Sequence, residues 1–282
     1  MKKHSNFVGI LGWPLHHTLS PVIHNAAFRR LDLDWTYLSF PVEPGSLGDA
    51  VAGLRALSAR GANVTMPHKE AVVQLLDEIG GDAAMTGAVN TIENVGGRLI
   101  GHNTDVDGFR QFLDGDAGVQ VGERPVCVLG SGGAARAVVA ALESLGASVT
   151  VVARDLDRAE SVAALAKGAS IASWEEREKV VAASSVVVNS TPLGMNGEEV
   201  VPADSLHDRQ VVVDLIYQPA RTPLLEAARD AGADAWGGLG MLVHQAAASF
   251  RIWTGQEPPL EVMSAAALHA IGSGVSRGSH LS

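Results

Sequence analysis

Some residues of this 282-residue chain carry chemistry by their type and spacing. Gly130-Ser131-Gly132-Gly133-Ala134-Ala135 closes the apolar run Val126-Cys-Val-Leu129 and opens an alanine-rich stretch of helical spacing. In such a turn Gly130 can leave the strand sharply, Gly132 lets backbone approach a pyrophosphate, and Ala135 keeps helix and strand close. The N–H groups and positive dipole end of the helix start then favour the phosphates. Plain packing also calls for glycine-rich turns, but Ser148–Ala153 reads as the next parallel strand and completes a β-α-β unit of about 30 residues. Thr18 and Ser20 are two hydroxyls beside a helix start at Pro21. Hydroxyls with exposed N–H groups can hold a carboxylate without arginine, although for Ser20 alone ordinary N-capping is the simpler account. Lys69 follows a strand and a turn at Pro67, where a lone lysine reads as a solvated surface residue. Asp105 reads as an N-cap for a helix expected from Asp107. His16, His17, His24 and His68 lack cysteine or acidic partners at recognised spacing, so no metal site is expected.

These residues must be carried by alternating strands and helices. Phe7–Gly12 reads as a first strand and Pro21–Leu31 as a helix with Ser20 at its cap and Pro21 at N1. Trp35–Phe40 and Gly61–Thr65 read as strands, Leu47–Leu57 and Glu70–Ile79 as helices, and the alternation suggests a parallel sheet with covered faces. Ala88–Ile92 and Arg98–Gly101 look like two short strands around Gly96-Gly97. Beyond the glycine-rich turn, helices are expected at Leu156–Ala166, Trp174–Ala183, Pro223–Ala231, Met241–Trp253 and Leu260–Ile271. Strands are expected near Ala169 and at Ser185–Asn189 and Gln210–Ile216. The last is nearly all apolar, which suits a sheet buried on both faces.

Composition sets the outer limits. A chain of this length accommodates roughly two domains. Its 21 basic and 31 acidic residues give a net charge of -10, so no overall field draws it to nucleic acid or an anionic membrane. Small-molecule partners are expected, and anionic ones must be attracted by local cations and helix ends. The single cysteine, Cys127, lies in an apolar strand pattern and reads as a packed thiol. The chain shows no membrane span, its N-terminal apolar run is too short and broken for a signal peptide, and a cytoplasmic location is expected.

Seven motifs, in order, resemble the shikimate dehydrogenase family over nearly the whole chain: His17–Pro21, Asn63–Lys69, Gly87–Thr91, Asn103–Asp105, Gly130–Ala135, Asn189–Met195 and Gly238–Gln245. The resemblance implies an α/β protein of two domains, an N-terminal α/β substrate domain and a Rossmann-type doubly wound parallel-sheet cofactor domain. The expected boundaries are 1–106 for the substrate domain and 107–239 for the NADP domain, with C-terminal helices at 240–272 packing back on the substrate domain and a disordered tail at 273–282. The implied activity is reversible NADPH-dependent reduction of 3-dehydroshikimate to shikimate in aromatic amino-acid biosynthesis, by a monomer or homodimer. A quinate/shikimate dehydrogenase with broader substrate or NAD use is the runner-up, and a nucleotide or shikimate-like ligand sensor is the non-enzyme alternative. By resemblance Lys69 is the proton donor and acceptor at the substrate C3 oxygen, and Asp105 orients and charge-balances it. Thr18, Ser20, Thr65, Asn90, Tyr217 and Gln245 match substrate contacts. Gly130, Ser131, Gly132, Gly133, Ala134, Ala135, Thr191, Leu215 and Gly238 fall on the cofactor motifs.

Cofactor choice turns on the end of the second strand, Ala153-Arg154-Asp155, with Arg158 beyond it. In a dinucleotide site this position faces the adenine ribose, where an acidic residue selects NAD. Arg154 and Arg158 suit a 2′-phosphate through planar, permanent charge. The family's pattern here is Asn-Arg-Thr. Ala153 and Asp155 remove two polar contacts, and Asp155 could repel the phosphate, accept from an NAD ribose, or point toward the helix N-terminus. NADP is expected because two cations outweigh one carboxylate.

Overall fold

The computed structural model describes residues 6–15 and 18–273. His16, His17 and the tail from residue 274 lie outside the described residues. The described residues form two compact units, one of those within 1–104 and 243–273 and one of residues 105–242.

The first unit begins with β1 (Asn6–Gly12), α1 (Ser20–Arg30), β2 (Trp35–Pro41), α2 (Leu47–Ala56) and β3 (Gly61–Val64). It continues with β4 (Glu78–Ile79), α3 (Gly81–Thr86), β5 (Thr91–Val95) and β6 (Arg98–His102). Its strand order is β2-β1-β3-β5-β6-β4. The sheet is mixed where alternation suggested a parallel one. β1 runs parallel to β2 and β3, but β5 is antiparallel to both β3 and β6. The cause is local: Gly96 and Gly97, at φ 64° and 95°, join β5 to β6 by a tight turn that only antiparallel strands can share.

Two expected elements change. Residues 70–79 do not form one helix; a 3-10 turn at Ala71–Leu75 gives way to β4. Asp77 donates its N–H to Leu99 O at 3.0 Å, and its carboxylate accepts the Leu99 N–H at 2.7 Å, so sheet-edge pairing takes a segment that its apolar spacing had assigned to a helix. At α1, Ser20 is the first helical residue and Leu19 the cap, with no side-chain cap bond. The Ser20 N–H instead donates to Thr18 Oγ1 at 3.3 Å, so the threonine serves the helix start.

The second unit takes over within α4 (Thr104–Gln111). It runs through β7 (Pro125–Leu129), α5 (Gly133–Ser144), β8 (Ser148–Ala153), α6 (Leu156–Ala163), β9 (Ser170–Ser173) and α7 (Arg177–Ala183). β10 (Val186–Asn189), β11 (Val211–Asp214), α8 (Pro223–Asp230) and β12 (Asp234–Gly237) follow. Every pairing in the order β12-β11-β10-β7-β8-β9 is parallel. That is the doubly wound order with its switch point between β7 and β10, where ligands enter at the carboxyl ends of the strands. Both faces are covered. Val126 and Val128 of β7 point into one apolar core with Val138 and Leu142, while Cys127 and Leu129 point into another with Val187 and Val212. β12 carries little signal in the sequence because only four residues form it, with Asp234 exposed at its start.

α9 (Leu239–Thr254) and α10 (Leu260–Ser273) close the chain. From Val243 onward they belong to the first unit, where α10 packs on α1, Phe250 lies 5.3 Å from Phe28, and Trp253 Nε1 donates to Ile92 O at 2.9 Å. Among the described residues no helix is long and apolar enough to cross a membrane.

Candidate active site

In the first unit the site is assembled at the carboxyl ends of β1 and β3. Thr65 leaves β3 with its N–H on Leu11 O at 2.9 Å, and its carbonyl accepts the His68 N–H at 2.9 Å, closing the turn that carries Lys69. His68 is buried and donates from Nε2 to Val42 O at 2.6 Å, which anchors that turn from beneath. The carbonyl of Lys69 accepts the Val89 N–H at 2.8 Å, and Asn90 O accepts the Val64 N–H at 2.8 Å. These two bonds bring Lys69, Thr65 and Asn90 together, although they lie on separate motifs. The Asn90 side chain is buried and donates from Nδ2 to Gln245 Oε1 at 3.3 Å, adding a residue 155 positions away. Thr18 and Ser20 form their own pair at the start of α1, where Ser20 is buried.

Asp105 belongs to the second unit. α4 begins at Thr104, three residues earlier than expected, so Asp105 is buried inside the first turn instead of serving as a cap. A carboxylate there is favoured by the positive end of the helix.

The glycine-rich turn has the shape a pyrophosphate needs. Gly130 sits at φ 111°, and a Cβ there would come within 2.8 Å of Ser190 Oγ, so the loops after β7 and β10 touch at the switch point. Gly132 caps α5 with no side-chain bond, and a Cβ on it would meet nothing within 4 Å. A glycine with open space before it and uncapped N–H groups behind it fits an approaching phosphate. Gly133 and Ala134 form the first turn of α5, Ser131 precedes it half-buried, and Ala135 is fully buried against the sheet. Gly238 is a glycine for a packing reason: a Cβ there would stand 2.1 Å from Leu215 O.

At the end of β8, Ala153 packs its methyl into the core and Arg154 is exposed. Asp155 is the N-cap of α6 and accepts the Arg158 N–H at 3.1 Å. Of the three roles open to this carboxylate, the structure uses the turn toward the helix.

The loops after β10 and β11 hang on one buried carboxylate to which the sequence motifs assign no role. Asp214 is wholly buried; Oδ1 accepts from Asn189 Nδ2 at 3.0 Å and from the Ile216 N–H at 3.2 Å, and Oδ2 from Thr222 Oγ1 at 2.6 Å. Asn189 Oδ1 in turn accepts from the N–H and hydroxyl of Thr191 at 3.0 and 2.7 Å. Burial raises the Asp214 pKa, while the bonds from Thr222, Ile216 and Asn189 oppose the rise. The network holds Thr191 and Leu215 in place, with half-buried Tyr217 just beyond. The visible signal was a carboxylate inside an apolar strand, Val211-Val-Val-Asp214. Among the described residues no group of three or more His, Cys, Asp or Glu could hold a metal ion.

Comparison with known proteins covers most of the chain. Residues 10–92 match the family model of the shikimate dehydrogenase substrate binding domain, residues 116–215 that of shikimate / quinate 5-dehydrogenase, and residues 238–268 that of the shikimate 5'-dehydrogenase C-terminal domain. A shikimate dehydrogenase (NADP(+)) of Salinibacter ruber is 49% identical over 269 residues, 90% of this chain and 94% of the relative. A shikimate 5-dehydrogenase from Thermus thermophilus, solved with NADP(H) and shikimate, is similar with a TM-score of 0.86 and 35% identity, over 94% of this chain and 99% of that one. A quinate dehydrogenase from Corynebacterium glutamicum, solved with NAD, is similar with a TM-score of 0.87 and 31% identity, again over 94% and 99%.

Proposed function

Because the chain belongs to the shikimate dehydrogenase family, we propose that it interconverts 3-dehydroshikimate and shikimate with NADP and that the residues above divide this work. It is an NADP-dependent oxidoreductase acting on a CH–OH group. The observation that carries the assignment of residues is the convergence of Lys69, Thr65, Asn90 and Gln245 through the backbone bonds at Val64 and Val89. Bound at the Gly130–Ala135 turn, the nicotinamide cofactor supplies or accepts the hydride. Lys69 Nζ donates a proton to the carbonyl oxygen as the alcohol forms and takes it back in the oxidative direction. Asp105 is the carboxylate that balances that ammonium. Thr18 and Ser20 hold the substrate carboxylate with their hydroxyls at the start of α1. Asn90, Thr65, Tyr217 and Gln245 orient the ring hydroxyls.

On the cofactor side, Gly132, Gly133 and Ala134 offer backbone N–H groups to the pyrophosphate, and Arg154 and Arg158 receive the 2′-phosphate. The turn of Asp155 into the α6 cap supports NADP over NAD, because its carboxylate is engaged by the Arg158 N–H. The reading includes a cytoplasmic enzyme acting as a monomer or homodimer on small molecules. The deciding experiment is an initial-rate assay with shikimate or quinate, each with NADP or NAD. Shikimate with NADP should give the highest kcat/KM, and a higher value for quinate with NAD would overturn the proposal.

A further inference from the structure

Asn90 and Gln245 each have a donor end and an acceptor end, and what they select depends on which end faces the reacting molecule. Asn90 Oδ1 accepts the Thr104 backbone N–H at 2.7 Å, a donor that cannot reverse. Its amide nitrogen must therefore donate, to Thr104 Oγ1 at 2.8 Å and to Gln245 Oε1 at 3.3 Å. With its oxygen committed to Asn90, Gln245 turns its amide nitrogen, which can only donate, away from Asn90.

Behind these amides lies a closed triangle of hydroxyls. Thr91 Oγ1 and Ser249 Oγ are 2.8 Å apart, Thr104 Oγ1 and Ser249 Oγ 3.1 Å, and Thr91 Oγ1 and Thr104 Oγ1 3.3 Å. Asn63 Nδ2 donates into it at Thr91 and Ser249, both at 3.0 Å, and Tyr37 OH fixes the other end of that amide by donating to Asn63 Oδ1 at 2.7 Å. Ser249 Oγ donates to Gln245 O, one turn back on α9, at 3.0 Å. Thr91 and Ser249 are fully buried and Thr104 is 4% exposed, so bulk water does not compete for these bonds.

We infer that Thr91, Thr104 and Ser249 are positioning residues that hold Asn90 and Gln245 in the orientation set by the Thr104 N–H, with Thr91 Oγ1 donating to Asn90 Oδ1 at 3.2 Å and Ser249 tied to the Gln245 carbonyl, so that both amides meet the substrate in one pose. The inference rests on the proposed placement of substrate at Asn90 and Gln245. The resemblance to the family assigns none of the three hydroxyls a role, and their place on β5, α4 and α9 explains why one cluster can align both amides.

The test is steady-state kinetics of the full-length enzyme. Thr91→Val keeps the shape and removes the hydroxyl, Ser249→Ala removes one oxygen, and Thr91→Ser keeps the oxygen. A lost buried hydrogen bond translates into about a three- to tenfold change in an equilibrium. Thr91→Val and Ser249→Ala should each raise KM for shikimate by about that factor and leave KM for NADP within about twofold. Thr91→Ser should restore the shikimate KM. Folded Thr91→Val and Ser249→Ala enzymes with wild-type KM for shikimate would overturn the inference, as would a parallel rise in both KM values. If Thr91→Val does not fold, Ser249→Ala decides alone. Gln245→Ala separates the two levels of the argument: an unchanged shikimate KM there means that the substrate lies elsewhere, and the triangle's role falls with it.

Discussion

Lys69 carries the heaviest demand at the scale of single residues. General acid-base help contributes typically 10²- to 10⁴-fold, so Lys69→Ala should lower kcat by about 10²-fold or more with a smaller change in KM. Stopped-assay turnover at saturating shikimate and NADP checks this, and an unchanged kcat ends the assignment. Arg154→Ala should lose most of the preference for NADP over NAD, read as the ratio of kcat/KM values. A variant that keeps the full ratio shows that the 2′-phosphate is held elsewhere. His24 makes a different kind of prediction. It is wholly buried, stacked on Tyr37 at 4.5 Å, and flanked by Phe28 and Trp253, with no hydrogen-bond partner on either ring nitrogen among the described residues. Burial lowers its pKa from 6.5 to about 3. The unfolded chain therefore binds a proton that the folded one refuses between those values, so stability is intact above pH 6.5 and falls as the pH drops toward 3. At pH 5 the loss is about 2 kcal/mol. His24→Phe should flatten the decline of Tm between pH 7 and pH 5; equal slopes in the two proteins would refute the assignment of acid sensitivity to this ring.

At the scale of elements, local caps and tertiary contacts together decide where helices and strands end. α6 starts where Asp155 caps it, and Asp155→Ala should cost about 1 kcal/mol in urea unfolding. The same change removes a carboxylate near the two arginines and should move cofactor preference further toward NADP. Asp214 joins three elements: it ends β11, receives Asn189 from β10, and receives Thr222, the N-cap of α8. Asp214→Leu would strand three buried donors, and at about 1–3 kcal/mol each the loss is about 3 kcal/mol or more. Denaturant titration should show it, with Asp214→Asn milder because an amide can still accept from Asn189 and donate to Thr222 Oγ1. Periodicity located most of these elements but misjudged residues 70–79. Apolar spacing records which residues are buried, whereas the pairing of Asp77 with Leu99 made part of that segment a strand edge.

At the scale of the whole molecule, the first unit is built from both ends of the chain. Without α9 and α10 it would expose the face of Phe28 that Phe250 covers and the Ile92 carbonyl that Trp253 satisfies. Residues 1–104 expressed alone should therefore lack a cooperative unfolding transition by circular dichroism, and a peptide of residues 239–273 should restore one in trans. Cooperative unfolding of the fragment alone would show that the C-terminal helices add nothing essential. The sequence by itself determined the class of fold, the glycine-rich turn and its partner strands, the order of the family motifs and the identity of the polar side chains within them. Those features are local: a glycine at φ 111°, a parallel strand buried on both faces and a cation after β8 can be read from spacing and residue type. Local backbone geometry put Thr18, and not Ser20, on the start of α1 and Asp105 inside a helix turn, whereas only tertiary structure decided that Thr91, Thr104 and Ser249 meet. A hydroxyl's single hydrogen goes to whichever acceptor the folded chain brings within reach, and residues 91 and 249 become neighbours only once the chain's last helices have packed on its first sheet.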